Sequence, residues 1–153
     1  MRAKTTALAI SLVFVSVALG FQDNPQLGTW KLNEAKSKFA GKARNQTVVY
    51  ERAGDQIKVT VDGVDENGSP SHNEWTGKFD DKDYPVTGDP TSDMRSYRMI
   101  NKNTNALTGK KNGRVTITGR IVVSQDGKTR TVTTTSTNLA GKKVRNTAVY
   151  DKQ

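Results

Sequence analysis

The chain has no cysteine, a single histidine and only 33% hydrophobic residues over its 153 positions. Without cysteine there is no disulfide to hold a small domain together, so the fold must close by hydrogen bonding and packing alone. One histidine and no thiol leave too few nitrogen and sulfur donors for a zinc centre, which takes three or four ligands. His72 lies beside Glu74 on a polar strand face and has no recognisable partner that would activate a serine. No catalytic residue, metal site or cofactor is expected, and the protein reads as a non-enzyme. Asp62, Asp65 and Asn67-Gly68 resemble the start of a calcium loop, but Pro70 and Ser71 interrupt it, so an ordinary hairpin loop is expected. Asp80-Asp81-Lys82-Asp83 reads as a solvated turn.

Long apolar runs are also missing, with one exception. Met1–Lys4 supplies two positive charges, Thr5–Leu19 is almost continuously apolar, and Ala18-Leu19-Gly20 places small residues where a signal peptidase cuts. The apolar stretch of about 15 residues is short of the roughly 20 needed to span a membrane. Residues 1–20 therefore read as a secretory signal cleaved near Gly20, and residues 21–153 as one domain. That implies an exported protein, in the periplasm or the medium, that does not span the membrane. Of the net charge of +9, Arg2 and Lys4 account for two, leaving +7 on the domain.

What remains is regular. Leu27–Asn33 reads as a first strand with Gly28, Trp30 and Leu32 on one face, and Asn33 is placed to cap a helical turn over Glu34–Lys38. Strands then follow at Gln46–Arg52, Gln56–Val61, Ser71–Phe79, Tyr84–Thr87, Met94–Ile100, Ala106–Lys110, Gly113–Ser124, Thr129–Asn138 and Lys143–Lys152. Turn signals separate them, among them Ala53-Gly54-Asp55, Gly88-Asp89-Pro90 and Gln125-Asp126-Gly127-Lys128. Asp62–Pro70 reads as one long polar turn. Val115, Ile117, Ile121 and Val123 fall on one side of the longest strand. Gln46–Arg52 and Asn146–Lys152 match almost position by position, QTVVYER against NTAVYDK.

A many-stranded chain so poor in apolar residues can fold if it wraps around a space, which points to a small closed barrel. By alternation Tyr50, Trp75, Tyr97 and Tyr150 face its interior and are the candidate lining of a ligand pocket; Phe79 and Met99 share that side. The basic residues cluster at Lys110-Lys111-Arg114 and Lys142-Lys143-Arg145 without interleaved aromatics, which argues against a nucleic-acid platform.

At Gly28-Thr29-Trp30-Lys31-Leu32 the chain resembles the calycin superfamily, the lipocalins and fatty-acid-binding proteins. It is most similar to uncharacterised secreted bacterial lipocalin-like proteins that share the GTWKLN-AKSKF opening. The resemblance implies an antiparallel meander of about 8–10 strands closed into a barrel. It also implies that Gly28 and Trp30 form a structural plug at the barrel end, with Trp30 set against Arg145 or Arg120. In fatty-acid-binding proteins an arginine two residues before the closing tyrosine holds a carboxylate. Ala148 stands there, so Tyr150 alone carries over, and Arg120 falls on the outward face.

Two functions are open on this reading. One is an exported, monomeric binding protein that holds a small apolar or amphipathic ligand in its barrel. The alternative is an inhibitor-like interaction module that meets an anionic envelope polymer or a secreted protein through loops and basic patches.

Overall fold

The computed structural model describes residues 24–137 and 141–153. The expected signal segment, Asn138 at the end of its strand, and Ala140 in the following turn lie outside the described residues. Ten antiparallel strands form a closed meander, β1 (Gly28–Leu32), β2 (Arg44–Ala53), β3 (Gln56–Val64), β4 (Pro70–Gly77), β5 (Tyr84–Thr87), β6 (Met94–Asn101), β7 (Thr104–Lys111), β8 (Arg114–Val123), β9 (Thr129–Thr137) and β10 (Lys143–Lys152). Each pairs with its sequence neighbours, and β1 closes the ring against β10. A single 3-10 turn, Glu34–Lys36, follows β1, and the Asn33 side chain accepts from the Lys36 amide at 3.2 Å. Closure gives every strand a partner on both sides, although β5 joins β4 and β6 through only two residue pairs each, and a closed ring suits a chain without disulfides.

The ladder follows from side-chain periodicity. On β3, Val59 and Val61 are buried while Lys58 and Thr60 alternate with them, the signature of a sheet with one dry face. β9 is mostly threonine, whose branched Cβ favours extended backbone on either face. β1 is gripped from both sides by the two echoing segments. Gly28 pairs with Tyr50 on β2 and Leu32 with Tyr150 on β10, so both tyrosines turn inward beside the first strand.

Irregular backbone accounts for the departures from simple alternation. The expected turn over Asp62–Pro70 is shorter, because β3 runs on to Val64 and β4 begins at Pro70. A bulge between Asn45 and Thr47 lets β2 follow that extension. Gly63 makes it sterically feasible: a Cβ there would run into the Arg44 carbonyl oxygen. A second bulge, where Gly109 opposes Ile117 but Lys110 opposes Val115, reverses the phase of β8. Val115 is therefore 56% exposed and does not share the side expected for it with Ile121 and Val123, which are buried. Met99 is likewise 52% exposed, next to the irregular pairing at the end of β6.

Trp30 is fully buried, and its Nε1 donates to the Gln26 carbonyl at 2.8 Å. Its cationic neighbour is neither Arg145 nor Arg120, both of which are exposed. β10 places Lys152 opposite Trp30, and the Lys152 Nζ sits 5.1 Å from the ring centroid. Gly28 has φ +115, and a Cβ on it would meet the Lys152 Cε at 2.9 Å, so glycine is what allows that lysine across the ring.

Trp30→Ala should destabilise the barrel by about 3–5 kcal/mol, through the cavity left and the unpaired Gln26 carbonyl. Urea unfolding checks this, and Lys152→Met, which keeps most of the packing, should cost about 1 kcal/mol or less.

Candidate functional site

The barrel encloses a cavity of about 350 Å³. Its lining reaches the residues between β1 and β2 (Phe39, Ala43), between β3 and β4 (Asp65, Glu66) and between β5 and β6 (Gly88–Thr91). These lie at one end of the barrel, and that end is the mouth. Deeper in, the wall is Val48, Val59, Val61, Leu107, Ile121, Val132 and Ala148, interrupted by Tyr50, Tyr97, Tyr150, Arg95 and Arg130. A wall of that kind, apolar with a few convergent polar groups, is the general form of a small-molecule site, and the volume lies at the small end of such sites.

Three of the four residues expected to line a pocket, Tyr50, Tyr97 and Tyr150, border this cavity. Trp75 does not. It is 1% exposed, its Nε1 donates to the Arg95 carbonyl at 2.9 Å, and its ring lies edge-on to Tyr97 and Tyr84 at 4.7 and 5.8 Å and stacks on Phe79 at 6.3 Å. Gly77 explains the placement: a Cβ there would sit 2.5 Å from the Tyr84 ring and 2.6 Å from the Trp75 ring. The two aromatics use the space above the glycine, and Trp75 packs against the wall of β4–β6 instead of facing the lumen. Trp30 lies outside the lining too, consistent with a structural role.

The cationic members of the lining are two arginines that escaped the sequence reading. Arg95, on β6 in phase with Tyr97, donates to Asp89 Oδ2 at 2.9 Å and to Asn73 Oδ1 at 3.3 Å. Both members of the Arg95–Asp89 pair are mostly buried, with side-chain exposures of 11% and 14%. The pair ties the Gly88–Thr91 segment of the mouth to the wall.

Arg130 is different. It is the second residue of β9, in phase with Val132, and it pairs across the sheet with Tyr150. Only 3% of it is exposed. Its Nη2 donates to the Tyr50 hydroxyl at 2.7 Å, and its guanidinium lies 4.9 Å from the Tyr50 ring centroid and 5.3 Å from that of Tyr150. Its Nε is buried without a hydrogen-bond partner, and no carboxylate among the described residues forms an ion pair with it. Burial raises the pKa of Tyr50, with Arg130 pulling the other way and losing. Burial likewise raises that of Tyr150 against the same cation. Both phenols are neutral at physiological pH, so neither is a counter-ion. Burying an ion costs several kcal/mol. One charge-assisted hydrogen bond returns about 1.5–3 kcal/mol, and desolvated ring contacts about 2 kcal/mol. The cation is held in place but not neutralised.

The other sequence candidates resolve into surface chemistry. Asp62 turns outward and meets His72 Nδ1 at 2.6 Å, while Asp65 accepts from the Asn67 and Ser69 amides at 2.8 and 2.9 Å and so closes its own turn. Among the described residues, no group of three or more His, Cys, Asp or Glu is arranged to hold a metal ion. No described helix is long and apolar enough to cross a membrane. In the first basic cluster, Lys110 is paired with Asp83 at 2.6 Å.

No family model matches the chain, and no curated protein matches it. Among solved structures it is similar to a redesigned β-barrel, mFAP1, bound to DFHBI, at 14% identity and a TM-score of 0.47, covering 84% of this chain and 95% of that one.

Two outcomes are expected. Asp89→Ala leaves a mostly buried Arg95 without its carboxylate and should cost about 3 kcal/mol in chemical unfolding, whereas a double exchange of Arg95 and Asp89 for apolar residues should recover much of that loss. The hydrogen bond that His72 donates to the Asp62 carboxylate raises the pKa of His72 above 6.5, so an NMR titration should find a value above that, lowered again by Asp62→Asn. The sign follows: the contact adds stability below the unfolded pKa, and that gain is lost as pH rises through the folded one.

Proposed function

We propose that the chain is an exported binding protein, not an enzyme, that holds a small apolar or amphipathic ligand inside its barrel once residues 1–20 are removed. The observation that carries the proposal is the cavity of about 350 Å³, walled by aliphatic side chains and three tyrosines and open at one end. Filling that space with side chains would have stabilised the barrel, since close-packed interiors gain dispersion energy and avoid cavities. Ala148 stands on the wall where a larger residue would fill the lumen. A hollow interior at such positions is what a carrier requires.

The test is uptake of N-phenyl-1-naphthylamine, an uncharged probe that fluoresces on leaving water. The wild-type protein should take up one equivalent, with little change between low and high salt, because a buried neutral guest is not screened. Ala148→Phe should lose most of that uptake while retaining a cooperative thermal transition. Failure of the wild type to bind the probe, or equal binding by the filled variant, would refute the internal site. The loops and basic clusters would then become the place to look for a polymer or protein partner.

A further inference from the structure

If the barrel is a carrier, the polar part of its wall bears on the class of ligand it takes. The lumen contains two cations with unequal surroundings. Arg95 is matched by Asp89 and Asn73. Arg130, more deeply buried, has a neutral phenol and two ring faces, an unpartnered Nε, and no acid in reach among the described residues. We propose that Arg130, framed by Tyr50 and Tyr150, is a socket for the single anionic head of a compact amphipathic ligand, bound head-inward with its apolar body toward the mouth.

Three features support this orientation. First, a guanidinium presents several N–H donors in one plane and keeps its charge at any physiological pH, so it suits a carboxylate or sulfonate head held away from water. The low-dielectric interior strengthens that attraction. Second, the apolar surface lies between this cation and the mouth: Val61, Leu107 and Ile117 line the cavity on strands that run from one to the other. Third, the mouth is acidic. Asp65 and Glu66 border the cavity there, accepting hydrogen bonds from the Asn67 and Lys42 amides, while the charge of Asp89 beside them is matched by Arg95. A ligand with a second negative charge at its far end would be repelled by Asp65 and Glu66, so the site selects one charge at one end.

The socket is also not placed where the resemblance to fatty-acid-binding proteins would put it. The position two residues before the closing tyrosine is Ala148, and the cation comes from the neighbouring strand β9.

The experiment compares 1-anilinonaphthalene-8-sulfonate with N-phenyl-1-naphthylamine, which share a ring skeleton and differ in the sulfonate. Wild-type protein should bind the sulfonate about tenfold more tightly or better, the scale of one charge-assisted contact made out of water. That preference should persist from about 20 mM to about 500 mM salt, since a buried pair is screened little. Arg130→Met should abolish the preference while leaving affinity for the uncharged probe within about twofold, well under one such contact. Arg130→Lys, which retains the charge, should keep part of it. Equal affinity of the wild type for the two probes would overturn the socket and leave the carrier standing. A preference that collapses with salt would assign it to surface charge, and one that survives in Arg130→Met would assign it to another cation such as Arg95; either result would overturn the socket as well. Binding of neither probe would overturn the carrier itself. If Arg130→Met fails to fold, the wild-type comparison and its salt series still decide the matter.

Discussion

The structure depends on the closure of its ring by β1. With no disulfide, the barrel holds only if the first strand finds the last, and a strand of five residues must pair on both sides. Trp30 sits at the centre of that closure. It is fully buried, hydrogen-bonded to Gln26, and covered by Lys152 from the strand that closes the ring. Gly28 matters because the lysine must cross the space that any Cβ would fill. Closing the ring removes most of the exposed edge that makes free sheets aggregate, the thin joints at β5 excepted. It also creates a lumen, and a chain this poor in apolar residues does not have the side chains to fill it.

The lumen is organised around charge as much as around apolar surface. Tyr50 links the cation of β9 to β2, and the Tyr97 hydroxyl bears on both Tyr50 and Arg95. Arg95 in turn holds Asp89 at the mouth. A chain of polar contacts thus runs from the deepest cation to the rim. In a low-dielectric interior such networks specify geometry strongly when complete and are costly where they are not. The incomplete member is Arg130, and it faces the space a ligand would occupy.

Much of this was legible in the sequence. Alternation places the ten strands closely, with β5 and β10 matching to the residue, because a two-sided strand with one dry face leaves a clear period of two. The echo between residues 46–52 and 146–152 also has a physical reading: both segments flank β1 and turn a tyrosine inward. The bulges were not legible. One at Asn45/Thr47 lengthens β3 and one at Gly109/Lys110 turns Val115 to solvent, and each appears only once the partner strand is known. Trp75 shares the inner face with the tyrosines, but Gly77 opens a recess that takes its ring away from the lumen. The arginines were missed for a different reason. Charged residues default to the outer face, and β9 is threonine on both faces, so its phase rests on Val132 alone. Extending that phase by two residues places Arg130 inside.

The most direct test of the account is native mass spectrometry of the protein purified from its own host, followed by extraction of whatever it carries. One stoichiometric small molecule with an apolar body and a single acidic group, released on unfolding, is the expected result. A bare polypeptide mass, from protein that also takes up no apolar probe afterwards, would contradict it.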